Sequence, residues 1–414
     1  MGNPEAAEAD LLAAQDAGDE RPAALNNLGL LRREQGRYRE SLSCFEAALA
    51  ETPRYSDARL NQALVLSDLG RLDEAEAALK ELANSDSPHV RSEARMNLAF
   101  AHLRLGEFAA GWEFFEERWN QPRMTQRPFR LPPWNGDPLS GRRLLVYGEQ
   151  GLGDEVMFAG CLPDLFRAAD GSPVVLECDG RLAKLFARSF PQALVHGRAQ
   201  PDDMGWLAGE AAAEVQIPIG SLPALYRRRI EDFPAGHTWL KADPARTTHW
   251  HERLAALGPG LKVGVSWRGG AVQTRSALRS MNLSQWLPIL QTPDTHFLSL
   301  QYTDCRTELN ELAASTGITV HHWQEAIDDY DETAALVSAL DLLISVPTSV
   351  VSLASALGVP TWAFVPYSPS WLFMQEGDTT PWLPSARLFR QGREAVWDGE
   401  IARVAATLGE HLAQ

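Results

Sequence analysis

Three glycines recur at nearly equal spacing in the first third of the chain. Gly36, Gly70 and Gly106 stand 34 and 36 residues apart, and each separates two segments whose apolar residues follow helical spacing. A single helix pair of this size cannot bury its apolar face alone, so neighbouring pairs have to stack on one another. The period therefore predicts an array of three helix–turn–helix repeats within residues 1–119.

The residues within each period resemble the tetratricopeptide repeat (TPR). Small residues, Gly29, Ala63 and Ala99, recur where the two helices of a pair should cross closely. The third repeat ends in an aromatic segment, residues 112–119, which we expect to dock the array onto the following domain. The array itself has two interpretations: a concave groove that binds a polypeptide, or a rigid spacer that can also serve as the platform of a homodimer.

Charge and apolar patterning exclude several classes of partner. The net charge is −16, and residues 1–119 hold 22 Asp and Glu against 13 Lys and Arg, which argues against binding nucleic acid or an anionic membrane there. The acidic N-terminus does not resemble a signal peptide, and no apolar run approaches the ~18 residues of a membrane span. Four scattered cysteines predict reduced core residues. We therefore expect a cytoplasmic protein with no membrane span.

Strand and helix patterns alternate after residue 140. Residues 120–140 form a Pro- and Gly-rich linker that Trp134 should anchor. The predicted strands are 143–147, 173–178, 193–196, 214–217, 262–267, 295–300, 318–322, 341–346 and 360–365. A charged helical break at 240–260 divides them into two Rossmann-like domains, 141–255 and 256–393, followed by a helix over 394–414. Such alternation predicts parallel sheets covered on both faces, which bind ligands at the carboxyl ends of their strands.

The glycine-rich turn GEQGLGDE follows the first predicted strand. It lacks the lysine of a phosphate-binding P-loop and the third glycine of a dinucleotide site. Gly151 and Gly153 let the backbone approach a ligand, and Asp154 begins a helix. Asp154 is either a residue favoured by the helix dipole or a general base that deprotonates an acceptor hydroxyl. A helix N-terminus lowers the pKa of an aspartate, which would weaken it as a base.

Two further turns combine features that suit a phosphate. Trp267, Arg268 and Gly269 end a strand, and Arg279 follows in a polar loop. Residues 348–350 join a strand to a helix, whose first N–H groups can hold a diphosphate. Each turn also has an ordinary explanation, a solvated arginine loop in the first case and a capped helix in the second.

The order of these segments is more specific than any one of them. GEQGLGDEVMFA, KVGVSWRGG, FLSLQY, TSVVSLASALG and PWLPSARLFRQ follow the repeats in the order that resembles bacterial TPR-containing glycosyltransferases. That group is similar to the heptosyltransferases of glycosyltransferase family 9 and, more distantly, to O-GlcNAc transferase. The resemblance implies a GT-B fold, in which two Rossmann-like domains face a cleft, with the acceptor on the first and the donor on the second. It also implies a metal-independent reaction and a final helix that packs back on the first α/β domain.

The resemblance assigns roles to individual residues. It implies that the enzyme transfers a sugar from a nucleotide sugar to an acceptor, which we expect to be a protein recruited by the TPR groove, with Asp154 as the base. The nucleotide-sugar-binding residues would be Gly151, Gly153, Trp267, Arg268, Gly269, Arg279, Ser299, Gln301, Thr348, Ser349 and Val350. Four positions depart from the pattern: Pro347 replaces an acidic or amide residue, Ser352 a histidine, Ser355 a glycine and Leu372 an arginine. These losses support the alternative of a degenerate GT-B protein that only binds nucleotides or proteins.

Overall fold

A computed structural model describes residues 8–12, 20–121, 124, 127–199, 204–269 and 276–412. The chain forms two compact units. Unit 1 comprises Met1–Arg127 and Pro366–Gln375, and unit 2 comprises Pro128–Val365 and Glu376–Gln414. The predicted order of a helical array followed by α/β structure is confirmed.

Residues 20–121 of unit 1 contain three pairs of helices. They are α1 (Arg21–Glu34), α2 (Tyr38–Glu51), α3 (Ser56–Asp68), α4 (Leu72–Leu82), α5 (Pro88–Leu105) and α6 (Phe108–Phe115). The glycine that separates each pair has a positive φ, from 75° to 82°, which a side chain would strain. Gly29 allows the close crossing of the first pair, because a Cβ there would lie 2.6 Å from the Phe45 ring. The three-repeat prediction is therefore confirmed.

A distant stretch of the chain completes unit 1. The sequence placed Pro366–Gln375 in the second α/β domain, but these residues belong to the repeat unit. Ser368 donates a hydrogen bond of 2.6 Å to Asp68 at the end of α3. The Trp371 ring packs edge-to-face on Trp112, with ring centroids 5.8 Å apart. The aromatic segment at the end of the array thus packs against a part of the chain that sequence order had assigned elsewhere.

Unit 2 contains two parallel sheets. The first has four strands, β1 (Leu144–Tyr147), β2 (Val174–Asp179), β3 (Ala193–Arg198) and β4 (Val215–Pro218), in the order β3-β2-β1-β4. The second has six, β5 (Leu261–Ser266), β6 (Thr295–Ser299), β7 (Val320–His322), β8 (Leu342–Ser345), β9 (Thr361–Val365) and β10 (Ala386–Arg390), in the order β10-β9-β8-β5-β6-β7. This pair of sheets confirms the predicted α/β fold. The sequence prediction missed β10, whose arginines interrupt its apolar run.

The α-helices of unit 2 lie between strands in the chain, except for the last, which follows β10. They are α7 (Leu152–Phe158), α8 (Leu162–Ala169), α9 (Ala183–Ser189), α10 (Leu222–Tyr226), α11 (Pro244–Ala255), α12 (Leu287–Leu290), α13 (Arg306–Thr316), α14 (Gln324–Asp328), α15 (Tyr330–Ser338), α16 (Ser349–Leu357) and α17 (Asp398–Leu412). Arg188 of α9 pairs with the buried Asp331 of α15 at 2.7 Å. This ion pair ties the first α/β domain to the second.

Trp134 anchors the linker, as predicted. Its side chain is 5% exposed, and its indole N–H donates to the Asp137 carbonyl at 2.7 Å. Its backbone N–H donates to the carbonyl of Gln216 in β4, also at 2.7 Å. The linker therefore runs along the edge of the first sheet at β4, and from Pro128 onward it belongs to unit 2.

The prediction for the final helix is wrong. We expected α17 to pack back on the first α/β domain, but its apolar side chains Ile401, Val404 and Leu408 lie in the core of the second. That core also contains Trp286 and Phe364. The reason is that β10, which the sequence did not reveal, brings the chain to the edge of the second sheet directly before α17 begins.

Candidate active site

The second sheet has a topological switch point between β5 and β8. From β5 the chain builds β6 and β7 on one side, and β8, β9 and β10 on the other. Ligands of such sheets bind beside this point, at the carboxyl ends of the strands. β5 leads into Gly269 and β8 into Thr348, and the two turns meet: a Cβ on Gly269 would lie 2.1 Å from Thr348 Cγ2. The structure thus brings together two of the three segments that the sequence singled out.

Helix α16 presents its N-terminus at this point. Thr348 is its N-cap in an extended conformation, and among the described residues its side chain accepts no capping hydrogen bond from the first turn. The Thr348 hydroxyl instead lies 3.4 Å from Ser345 Oγ. Ser349 and Val350 begin the helix, and Val350 is buried, so it can offer only its backbone. A helix start of this kind can bind an anion through its first N–H groups.

The glycine-rich turn contacts the same helix. A Cβ on Gly153 would lie 3.2 Å from Ser349 Cα and 3.6 Å from Ser352 Oγ. The first turn of α7 therefore packs directly on the first turn of α16. Ser352, which stands where the resembling proteins have a histidine, leaves room for this approach. All three predicted segments therefore lie in one place.

Asp154 is a half-buried carboxylate within the turn. The Gly151 N–H donates to its Oδ2 at 3.0 Å. Burial nevertheless raises the pKa of Asp154 to about 6, with a further rise from Glu149, while the Gly151 hydrogen bond and Arg279 lower it. The expectation that a helix start would lower this pKa is wrong, because desolvation outweighs the hydrogen bond. Asp154 is ionised at neutral pH and is more basic than an exposed aspartate.

Arg279 is the predicted cation whose charge acts on Asp154. Its Nε donates to the Gly269 carbonyl at 3.3 Å. Burial lowers the pKa of its guanidinium, whereas Tyr302 and Asp154 raise it. Arg279 therefore links the turn after β5 electrostatically to Asp154. The intervening residues 270–275, which include the second glycine of the WRGG motif, lie outside the described residues.

Two predicted donor contacts share a partner within the second α/β domain. Trp267 is fully buried in the core of the second α/β domain, where its indole N–H donates to Glu308 at 3.0 Å. The guanidinium of Arg268 forms an ion pair with the same Glu308 at 2.5 Å. Both side chains are thus held by α13. Glu308 thus gives both side chains a partner inside the fold, and their contact with the donor stays a prediction.

Gln301 holds the turn after β5 in place. Its Nε2 donates to the Arg268 carbonyl at 2.9 Å, and its Oε1 accepts from the Arg268 N–H at 3.1 Å. Ser299 is buried, with its hydroxyl 3.6 Å from Cys305 Sγ. Both residues therefore support the turn within the fold, and their role as ligand contacts stays a prediction. A cavity of about 310 Å³ opens beside them, lined by Arg268, Gly269, Ser276, Ser280, Gln301, Tyr302, Thr303 and Asp304.

The sequence reasoning missed the buried carboxylates around the turn. Glu155 is 1% exposed, accepts from the Asp179 N–H at 2.8 Å and pairs with Arg198 at 2.9 Å. Burial raises the pKa of Glu155 to about 7. Gly148 makes room for it, since a Cβ there would lie 2.5 Å from Glu155 Oε1. The available signal was three acidic residues in the motif GEQGLGDE directly after a buried strand.

Within the described ranges, no group of three or more His, Cys, Asp or Glu side chains is arranged to hold a metal ion. In the same part of the chain, no helix combines the length and apolar character needed to cross a membrane.

Comparisons with known proteins agree with the two-part organisation. Residues 27–89 match the tetratricopeptide repeat family, which confirms the repeat prediction. Protein FlbA of Caulobacter vibrioides is 35% identical over 427 residues, an alignment that covers 97% of this chain and 70% of that protein.

Solved structures match about two thirds of the chain at low identity. A glycosyl transferase of family 9 from Veillonella parvula is 12% identical, with a TM-score of 0.46, over 65% of this chain and 97% of its own. The ADP-heptose lipopolysaccharide heptosyltransferase II of E. coli is 13% identical, with a TM-score of 0.47, over 66% of this chain and 99% of its own.

Proposed function

This chain belongs to the family of Protein FlbA, and we propose that its second unit is a glycosyltransferase that uses a nucleotide-sugar donor. The observation that carries the proposal is the meeting of Gly269 and Thr348 at the switch point, with Gly153 against Ser349 beside them. A helix start, a half-buried arginine and a carboxylate of raised pKa thus share one site. The order of the motifs resembles that of the TPR-containing glycosyltransferases, and this resemblance favours sugar transfer as the reaction.

The leaving diphosphate would bind at the start of α16. The backbone N–H groups of Thr348, Ser349 and Val350 and the dipole of the helix favour an anion there. Arg279 supplies positive charge from the turn after β5. Its burial strengthens its attraction for phosphate oxygens, because few water molecules screen it. These groups would stabilise the negative charge that develops as the donor bond breaks, without a metal ion.

Asp154 would act as the general base. It would accept the proton of an acceptor hydroxyl while the hydroxyl oxygen bonds to the anomeric carbon of the sugar. The bond between that carbon and the diphosphate oxygen would break, and the nucleoside diphosphate would leave. A carboxylate with a pKa of about 6 is ionised at pH 7 yet holds a proton more readily than an exposed aspartate.

The repeat unit would recruit the acceptor, which we propose to be a protein. A cavity of about 380 Å³ opens on unit 1, lined by Glu46, Leu49, Pro53, Arg59, Gln62, Leu66, Arg71, Glu74 and Ala78. Its mixture of apolar side chains and of charges of both signs suits a polypeptide segment.

A second candidate is a degenerate transferase that binds nucleotides or proteins without transferring a sugar. Pro347 has no N–H to offer at the diphosphate turn. The packing of Gly153 on Ser349 and Ser352 fills space at the position where the resembling proteins carry a histidine. Both observations favour binding without turnover over full activity.

A ligand screen of the full chain separates these candidates. Thermal unfolding is recorded with UDP, GDP, ADP and their sugars, with the matching nucleosides as controls that lack phosphate. The proposal expects stabilisation by one nucleoside diphosphate and its sugar, loss of that shift in Arg279→Gln, and release of the diphosphate on turnover. Stabilisation without turnover would favour the binding protein, and no shift with any nucleotide would refute both.

A further inference from the structure

Tyr302 exposes an aromatic ring at the edge of the second sheet. It is 54% exposed, and in the described part of the chain it is the one aromatic member of the exposed large apolar residues. It follows β6, on the side where the ligands of parallel sheets bind, at the carboxyl ends of the strands. Its ring therefore offers a flat apolar surface to a ligand beside the candidate site.

The cavity of about 310 Å³ places hydroxyl groups next to this ring. Ser280, Tyr302 and Thr303 are among its lining residues. Gln301 Nε2 donates to Thr303 Oγ1 at 3.1 Å, so the Thr303 hydroxyl keeps its own proton for another acceptor. Ligand sites combine an apolar surface with a few polar groups that fix the orientation of the ligand, and this cavity offers both.

The two charged residues of the cavity lining already have partners within the fold. Arg268 forms an ion pair with Glu308, and Asp304 pairs with Arg306 at 3.2 Å. The cavity therefore suits an uncharged part of a ligand better than a phosphate. The groups proposed to hold the diphosphate, Arg279 and the start of α16, are not among the residues that line the cavity.

The strand order places this cavity away from the reacting end of a bound donor. β8, β5 and β6 are neighbours in that order, and they lead into Thr348, Gly269 and Tyr302. Since neighbouring strands lie about 4.8 Å apart, the turn after β6 lies about 10 Å along the sheet edge from the turn after β8. Gly269 meets Thr348 and also lines the cavity. A donor whose diphosphate is held at the start of α16 can therefore reach the cavity across Gly269.

We propose that Tyr302 stacks on the base of the nucleotide-sugar donor, and that the cavity after β6 holds the nucleoside. The inference rests on the proposed function of unit 2. A base presents a flat face to an aromatic ring and polar atoms at its edge, which matches the Tyr302 ring and the Thr303 hydroxyl. The transferred sugar does not suit this place, because it would lie two strands away from the helix start on which the turn of Asp154 packs.

Calorimetric titration of the full chain tests the inference with three probes. They are the nucleoside diphosphate among UDP, GDP and ADP that stabilises the wild type most, a sugar derivative of the same nucleotide, and inorganic diphosphate. Tyr302→Ala should weaken the binding of both nucleotides equally, by about 5- to 100-fold, and leave the binding of inorganic diphosphate unchanged. Tyr302→Phe keeps the ring, so both nucleotides should bind within about twofold of the wild type. Ile230→Ala, at a residue that is 52% exposed in the first α/β domain, is the matched control and should bind all three probes as the wild type does.

Proton NMR of the bound nucleotide supplies a second readout. The base protons should shift upfield on binding to the wild type, because they lie over an aromatic ring, and the shift should be absent in Tyr302→Ala. Equal nucleotide affinity in the wild type and Tyr302→Ala would overturn the inference and leave the proposed function standing. Loss of affinity for the sugar derivative alone, or an equal loss in Tyr302→Phe and Tyr302→Ala, would also overturn it. A wild type that binds no nucleotide would refute the proposed function, and the inference with it.

Discussion

Gly153 lies so close to Ser349 that a Cβ on it would come within 3.2 Å of the Ser349 Cα. This approach joins the turn that carries Asp154 to the helix proposed to hold the diphosphate. It depends on small residues on both sides, because Ser352, one turn further along α16, is buried at the same contact.

Restoring the histidine of the resembling proteins at position 352 should therefore be harmful. We expect Ser352→His to destabilise the protein by about 1–3 kcal/mol, because the larger ring has to displace the first turn of α7. Urea unfolding measures this change. Ser352→Ala keeps the contact and serves as the control. A histidine variant as stable as the wild type, with higher transfer activity, would show that the contact does not limit the site.

Gly269→Ala should disrupt the switch point. A Cβ would lie 2.1 Å from Thr348 Cγ2, so the two turns have to separate. We expect nucleotide affinity to fall by at least about tenfold, since the misplaced groups lose their aligned contacts with the diphosphate. Calorimetric titration with the stabilising nucleotide measures this loss. Gly399→Ala in α17 is the control, because a Cβ there meets open space. Equal affinity in the two variants would contradict the proposed position of the site.

Removal of the Asp331 carboxylate should weaken unit 2. Arg188 donates to both oxygens of Asp331, at 2.7 and 2.9 Å, and Asp331 is 2% exposed. Asp331→Asn leaves the arginine with only the more distant carboxylate of Asp243, at 3.9 Å, at an expected cost of about 3 kcal/mol in the free energy of unfolding. In contrast, Arg306→Gln breaks an exposed ion pair with Asp304 and should have no measurable effect. The prediction fails if the two variants unfold at the same urea concentration.

Glu155 should make the protein less stable as the pH rises. Its pKa is about 7 in the folded protein against 4.5 when unperturbed, so the folded state binds the proton more tightly. Its contribution to stability is therefore present below about pH 4.5, is lost as the pH rises to about 7, and amounts to about 3 kcal/mol. Glu155→Gln should flatten this part of the stability profile, leaving a smaller slope of the same sign from Asp154. An unchanged profile would contradict the assignment, and Glu214→Gln, on an exposed residue, is the control.

The sequence predicted the elements that depend on periodicity. It did not predict the contacts that depend on the direction of individual side chains. Glycine spacing located the repeat turns, and apolar runs located nine of the ten strands. The orientation of Trp267 and Arg268 could not be predicted, because it depends on Glu308, a partner some forty residues further along the chain. The domain against which α17 packs was not predicted, for a similar reason. It follows from β10, whose register against β9 is a long-range property.

Most residues of the candidate site could be predicted from local sequence motifs. Gly153, Asp154, Gly269 and Thr348 were singled out from turn chemistry, and the structure places their turns in contact. The raised pKa of Asp154 could not be predicted from the sequence. It results from burial by groups that the sequence does not show to be neighbours. Electrostatics of this kind require the tertiary structure.

The central claim is tested most directly by measuring nucleoside diphosphate release from nucleotide sugars by the wild type and by Asp154→Asn. The variant keeps the shape of the side chain and an oxygen to accept the Gly151 hydrogen bond, so donor binding should remain within about threefold of the wild type. Loss of a general base should lower release by about 10²- to 10⁴-fold. Release by the variant at close to the wild-type rate would contradict the role of Asp154, and no release by the wild type from any donor, with or without protein acceptors, would contradict the proposed transferase.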